Sequence, residues 1–237
     1  MLPPPGLCPR PDIAPYAGLV SATGRTAAAP RFEVVALVAS LGGLSAVSRI
    51  LAALPAEFPA HVLVVQHGRR DHDPGVLVRL FRRVTPLPIS AAGRGTTLRG
   101  PGVTVIPTGN VPELDADRRI ILGPVSGPAD GLRAGDTLLT SLATAFGPRA
   151  IAVVLTGMLH DGAAGVRAVK RLGGRVLVQE PATARAGSMP ASAIATGCVD
   201  FVLPLDRIAA ALTALTMAPG AAELFTVPIA PWAKLHA

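Results

Sequence analysis

The stretch VVALVASLGGLSAVSRIL, residues 34–51, decides how the chain is read. Its first six residues are apolar without interruption, the pattern of a strand buried on both faces, as in a parallel sheet. Ser40, Gly42 and Gly43 then break the run. Apolar residues return at Leu44, Val47, Ile50 and Leu51, the spacing of one helix face. A buried strand that turns through glycines straight into a helix is the repeating unit of an α/β fold.

The same alternation recurs along the chain. Apolar strand patterns stand at 32–39, 61–66, 103–107, 150–156, 175–179 and near 201–203, with helical patterns at 44–54, 74–83, 136–146, 163–172 and 206–216. The expected fold is a doubly wound, mostly parallel sheet with helices on both faces. From Pro86 to Leu122 the turns GRG, RGPG and PTGN separate short strands, which predicts a small antiparallel edge or flap. Residues 1–30 are rich in Pro, Ala and Gly and read as a disordered leader, 31–218 as the folded unit and 219–237 as a tail.

Composition narrows the function. No apolar run approaches the ~18–20 residues of a membrane span. The prolines of the leader interrupt any secretory signal, so a cytoplasmic protein without membrane insertion is expected. Cys8 and Cys198 have no metal-ligand spacing, and no cofactor is expected. The formal charge is +7, and Lys170 and Lys234 are the only lysines. Such a balance suits acidic partners. With 3% aromatic residues and no zinc-finger pattern, an acidic protein surface fits better than nucleic acid. The Gly42–Gly43 turn lacks G-x-G-x-x-G, and the second strand ends in Gln66 and His67 rather than an acidic residue, which argues against a dinucleotide.

Three polar residues end three of the buried strands: Ser40, His67 and, in the turn TGMLHDG, Asp161. Each has a plain structural explanation, since serine and aspartate cap helices and most strand-end histidines face solvent. Delivered together to the edge where parallel sheets bind ligands, they point to a serine–histidine–carboxylate hydrolase. His160 is a rival to His67, whereas His61, His72 and His236 read as structural or solvent-facing.

The motifs ASLGG, LPAEFPAHVLVVQH and LTGMLHDGAAGV, with the later GGRVLVQEPATARAGSMPASA, resemble the chemotaxis protein-glutamate methylesterase (CheB-type) catalytic domain in the same order, from about Phe32 to Leu215. The resemblance implies Ser40 as nucleophile, His67 as general base and Asp161 as the residue that orients it. It also implies the backbone N–H groups of Leu41 and Met158 as oxyanion donors. Its implied substrates are methylated glutamates on cytoplasmic helices of chemoreceptors, with glutamine deamidation as a related activity. In the family's best-known members a receiver domain precedes the catalytic domain, and about thirty residues are too few for one. A separate regulatory protein is therefore a candidate partner. A non-catalytic binding protein on the same fold is the alternative. Leu159 stands where the family has glycine, so a positive φ or a narrowed cleft is expected there.

Overall fold

The structure, a computed structural model, describes residues 32–68, 74–125, 133–218, 220–221 and 226–236. The leader 1–30, His72, and Arg69 and Arg70, which the sequence reading places on a basic rim suited to an acidic partner, lie outside the described residues. Seven strands form one parallel sheet in the order β3-β4-β2-β1-β7-β8-β9, where β1 is Val34–Ala39, β2 His61–Gln66, β3 Ile89–Ala91, β4 Gly102–Val105, β7 Ala150–Val154, β8 Arg175–Gln179 and β9 Phe201–Leu203. The remaining two, β5 (Asn110–Leu114) and β6 (Ile120–Pro124), make a separate antiparallel hairpin. The expected flap is thus divided, because β3 pairs parallel with β4 and joins the main sheet.

Side-chain alternation along the central strands assigns the helices to two faces. Val35, Leu37 and Ala39 of β1 face α1 (Gly43–Ala53), α2 (Pro74–Arg82) and a C-terminal helix, Leu205–Met217. Val34, Ala36 and Val38 face α3 (Ala134–Phe146), α4 (Ala163–Arg171) and α5 (Ser188–Ile194), with Leu114 and Ile120 of the hairpin. The C-terminal helix of the first face is α6. Every residue of β1 and of β7 is buried, which explains their unbroken apolar sequence.

After β1 the chain adds β2 on one side, while β7, β8 and β9 extend the other. The sheet order therefore reverses between β1 and β7, and a crevice opens outside their C-terminal ends. No helix among the described residues is long and apolar enough to cross a membrane. Residues 226–236, read from sequence as part of a tail, lie against the body: Ala230 N donates to Gly197 O at 3.2 Å, Lys170 Nζ donates to Val227 O, and Ala233 is buried.

Candidate active site

Ser40 follows β1 directly and is fixed through its backbone. Its N–H donates to Thr156 O (2.9 Å), and its carbonyl accepts from Gly43 N (2.8 Å) and Gln66 Nε2 (2.8 Å). Gly42 then takes φ +85° at the N-cap of α1, a left-handed conformation that glycine adopts without steric cost. The turn after β7 comes equally close. A Cβ on Gly157 would stand 2.9 Å from Ser40 Cβ and 2.5 Å from Met189 Sδ, so only glycine permits the approach.

This packing leaves N–H groups unpaired on both turns beside the serine. Gly43 N donates to Ser40 O and Gly157 N to Ala186 O. Leu41 N and Met158 N have no acceptor among the described residues. Unpaired backbone donors on two facing turns are what a developing oxyanion requires.

His67 follows β2, with its N–H donating to Ala39 O at 2.9 Å. Its ring is mostly buried, and Nε2 lies 2.7 Å from Asp161 Oδ2, a hydrogen-bonding separation with the ring turned off the straight N–H···O line. Asp161 is only 3% exposed, and its burial is compensated by three backbone donors. Gly135 N reaches Oδ2 (2.7 Å), while Asp136 N (2.8 Å) and Gly162 N (2.9 Å) reach Oδ1. Two of these belong to the first turn of α3, whose positive end favours a carboxylate. Asp161 thus sits before the N-cap of α4 yet caps mainly α3, from across the fold.

Ser40 and His67 line one open cleft of about 520 Å³ at the C-terminal ends of β1 and β2, together with Leu41, Gln66 and Arg185. Another hollow, of about 550 Å³ between β5 and α3, includes Glu113 and Asp136 but neither Ser40 nor His67. His160, the rival histidine, is exposed. His61 is held between Gly100 O and Thr104 Oγ1 (both 2.9 Å), and burial lowers its pKa from the ordinary value.

Three supporting residues escaped the sequence reading. Gln66 Nε2 ties the carbonyls of Ser40 and His67 together, at 2.8 and 3.0 Å. Thr156 Oγ1 donates to Leu41 O (2.8 Å), and Gln179 Oε1 accepts from Thr156 N (2.9 Å). The available signal was a glutamine ending each of two apolar strands, where a buried polar side chain needs partners.

The family model for CheB methylesterase matches residues 35–212. The chain belongs to the CheB methylesterase family. It is 40% identical over 200 residues to protein-glutamate methylesterase/protein-glutamine glutaminase 3 of Geobacter sulfurreducens, covering 82% of this chain and 54% of that one. It is 37% identical over 185 residues to protein-glutamate methylesterase FrzG of Myxococcus xanthus, covering 77% and 54%. The fold is that of the CheB methylesterase catalytic domain of Thermotoga maritima, with TM-score 0.70 and 30% identity over 77% of this chain and 98% of that one. The chain spans about half the length of these curated relatives, and the crystallised catalytic domain almost entirely.

Proposed function

We propose that this CheB methylesterase family member is a serine hydrolase that demethylates glutamyl methyl esters on the cytoplasmic helices of chemoreceptors and deamidates glutamines at the same kind of position. The observation that carries the reading is that Ser40 and His67 line one cleft, with Asp161 buried 2.7 Å from the His67 ring and the N–H groups of Leu41 and Met158 unpaired on the two adjoining turns.

In this mechanism the ring nitrogen facing Asp161 carries a proton, which leaves Nδ1 of His67 as the base. Nδ1 takes the Ser40 hydroxyl proton as Oγ attacks the ester carbonyl. The tetrahedral oxyanion accepts from Leu41 N–H and Met158 N–H, each such donor contributing about 3–4 kcal/mol of transition-state stabilisation. Collapse transfers the proton from His67 to the leaving methoxide and releases methanol. Water, deprotonated by the same nitrogen, then hydrolyses the glutamyl ester of Ser40 and yields the carboxylate. Glutamine follows the same path with ammonia as leaving group. Asp161 orients His67 and stabilises the imidazolium.

The test is to incubate the purified chain with methyl-labelled receptor membranes and measure released methanol. Ser40-dependent release is expected. A chain that binds the membranes but releases no methanol, and turns over no simple activated ester, would be a binding protein instead.

A further inference from the structure

Arg185, in the loop between β8 and α5, lines the Ser40 cleft and is exposed. It makes no ion pair or side-chain hydrogen bond among the described residues, unlike Arg118 and Arg149, which share Glu33. Its stem crosses the turn that carries the nucleophile: a Cβ placed on Gly42 would lie 2.7 Å from Arg185 Cβ and 3.1 Å from Cδ. The absence of a side chain at residue 42 is what gives the arginine its place.

The loop is clamped on both sides of Arg185. Ala186 N donates to Thr156 Oγ1 (2.9 Å), Gly157 N donates to Ala186 O (2.9 Å), and Ala184 N donates to Pro181 O (3.2 Å). Thr156 is also the residue whose carbonyl accepts from Ser40 N. Arg185 and Ser40 are therefore held to one common anchor, which fixes the base of the arginine relative to the reacting oxygen. A guanidinium is permanently charged and offers five donors in a planar fork that matches a carboxylate. Beside it Leu41, Leu44 and Ser45 are exposed, and among the described residues that line the cleft Arg185 is the only arginine or lysine.

We propose that Arg185 is a specificity-determining residue, binding a carboxylate of the substrate chain close to the scissile ester and so favouring esters flanked by an acidic residue. The inference rests on the hydrolase reading above. The test uses helical peptides carrying one glutamyl methyl ester with either Glu or Ala three or four residues to each side, positions that share a helix face with it. The kcat/KM ratio of acidic to neutral peptide is measured for the parent, Arg185→Gln and Arg185→Lys; a ratio cancels differences in folded fraction.

The parent should prefer the acidic peptides by about three- to tenfold, the range between an exposed and a well-formed charge-assisted contact. The ratio should fall toward one in Arg185→Gln, take an intermediate value in Arg185→Lys, and narrow with added salt. A parent that hydrolyses both peptides equally, or a preference that survives in Arg185→Gln, would overturn the inference and leave the hydrolase standing. A parent that turns over neither peptide would remove both.

Discussion

Ser40 and His67 act in the proposed mechanism as one proton-transfer unit, so their losses should not add. Ser40→Ala and His67→Ala should each lower kcat by roughly 10⁴–10⁶, with the double variant little worse than either. Steady-state rates on an activated ester decide this, and additive losses would remove the pair from the chemistry. Leu159 presents a different residue-scale problem. It adopts φ +67° and is 48% exposed, so it carries the left-handed conformation on a side chain that gains little burial in return. Leu159→Gly removes that strain at some entropic cost, a net gain of at most about 1 kcal/mol in stability. The residue also lies between the Met158 N–H and Asp161, and a small misplacement in such a site costs about a hundredfold in rate. Hydrolysis of receptor methyl ester should therefore rise in Leu159→Gly, and rise more than that of a small ester if the side chain crowds the cleft. Unchanged or lower rates on both substrates would make the leucine an accommodated variant.

At the scale of elements, α3 and α4 cap each other. Neither N-cap residue, Arg133 or Gly162, makes a side-chain cap bond. Asp161 accepts from the first turn of α3, and Asp136 Oδ1 accepts from Gly165 N (2.8 Å) in the first turn of α4. Two carboxylates are thereby brought together, and Asp136 has its pKa raised above the ordinary 3.8, first by burial and further by the charge of Asp161. With a raised folded pKa, the native state holds more protons than the unfolded chain over a window that opens upward from that value. Stability contributed by Asp136 is present below the window and is lost as pH rises through it. Asp136→Asn keeps an oxygen for Gly165 N–H and removes the charge, so its Tm relative to the parent's should rise as pH increases from about 4. An identical slope would mean that Asp136 is ionised at no cost in the fold. None of this exchange was legible in sequence, because Asp136 and Asp161 are 25 positions apart and each looks like a cap for its own helix. The strand ends were legible: unbroken apolar runs stopping at Ser40, at Gln66–His67 and before TGM marked the edge and its polar residues. Helix α5 was not, since seven residues containing Pro190 give too little periodicity to read. The hairpin β5–β6 was anticipated by its turns, while the parallel pairing of β3 depends on β4, which no local pattern announces.

For the whole molecule, one buried ion pair and one long-range field matter most. Lys170 and Asp200 pair in the interior, and Lys170 also holds Val227 O, so the pair joins α4, the approach to β9 and the C-terminal segment. Asp200→Ala would leave a buried ammonium without its counter-charge and should cost about 3–5 kcal/mol, read as a lower denaturation midpoint. The field arises from 22 Lys and Arg against 15 Asp and Glu, a formal net charge of +7. Its consequence lies in encounter rather than in fold. The proposed substrate is a helix bearing glutamyl side chains, anionic wherever they are not esterified, and attraction between unlike surfaces raises association rates at low ionic strength. The Debye length shrinks from roughly 14 Å at about 0.05 M salt to about 4 Å at 0.5 M. kcat/KM on receptor membranes should accordingly drop several-fold across that range, whereas kcat/KM on an uncharged small ester should change less than about twofold. The pair of measurements separates two causes. If both rates decline together, salt acts on the Ser40–His67–Asp161 geometry itself, and the positive charge has no part in finding the substrate. If only the receptor rate declines, and the decline is smaller in Arg185→Gln, part of the steering comes from the arginine at the cleft and the rest from the molecule's overall charge.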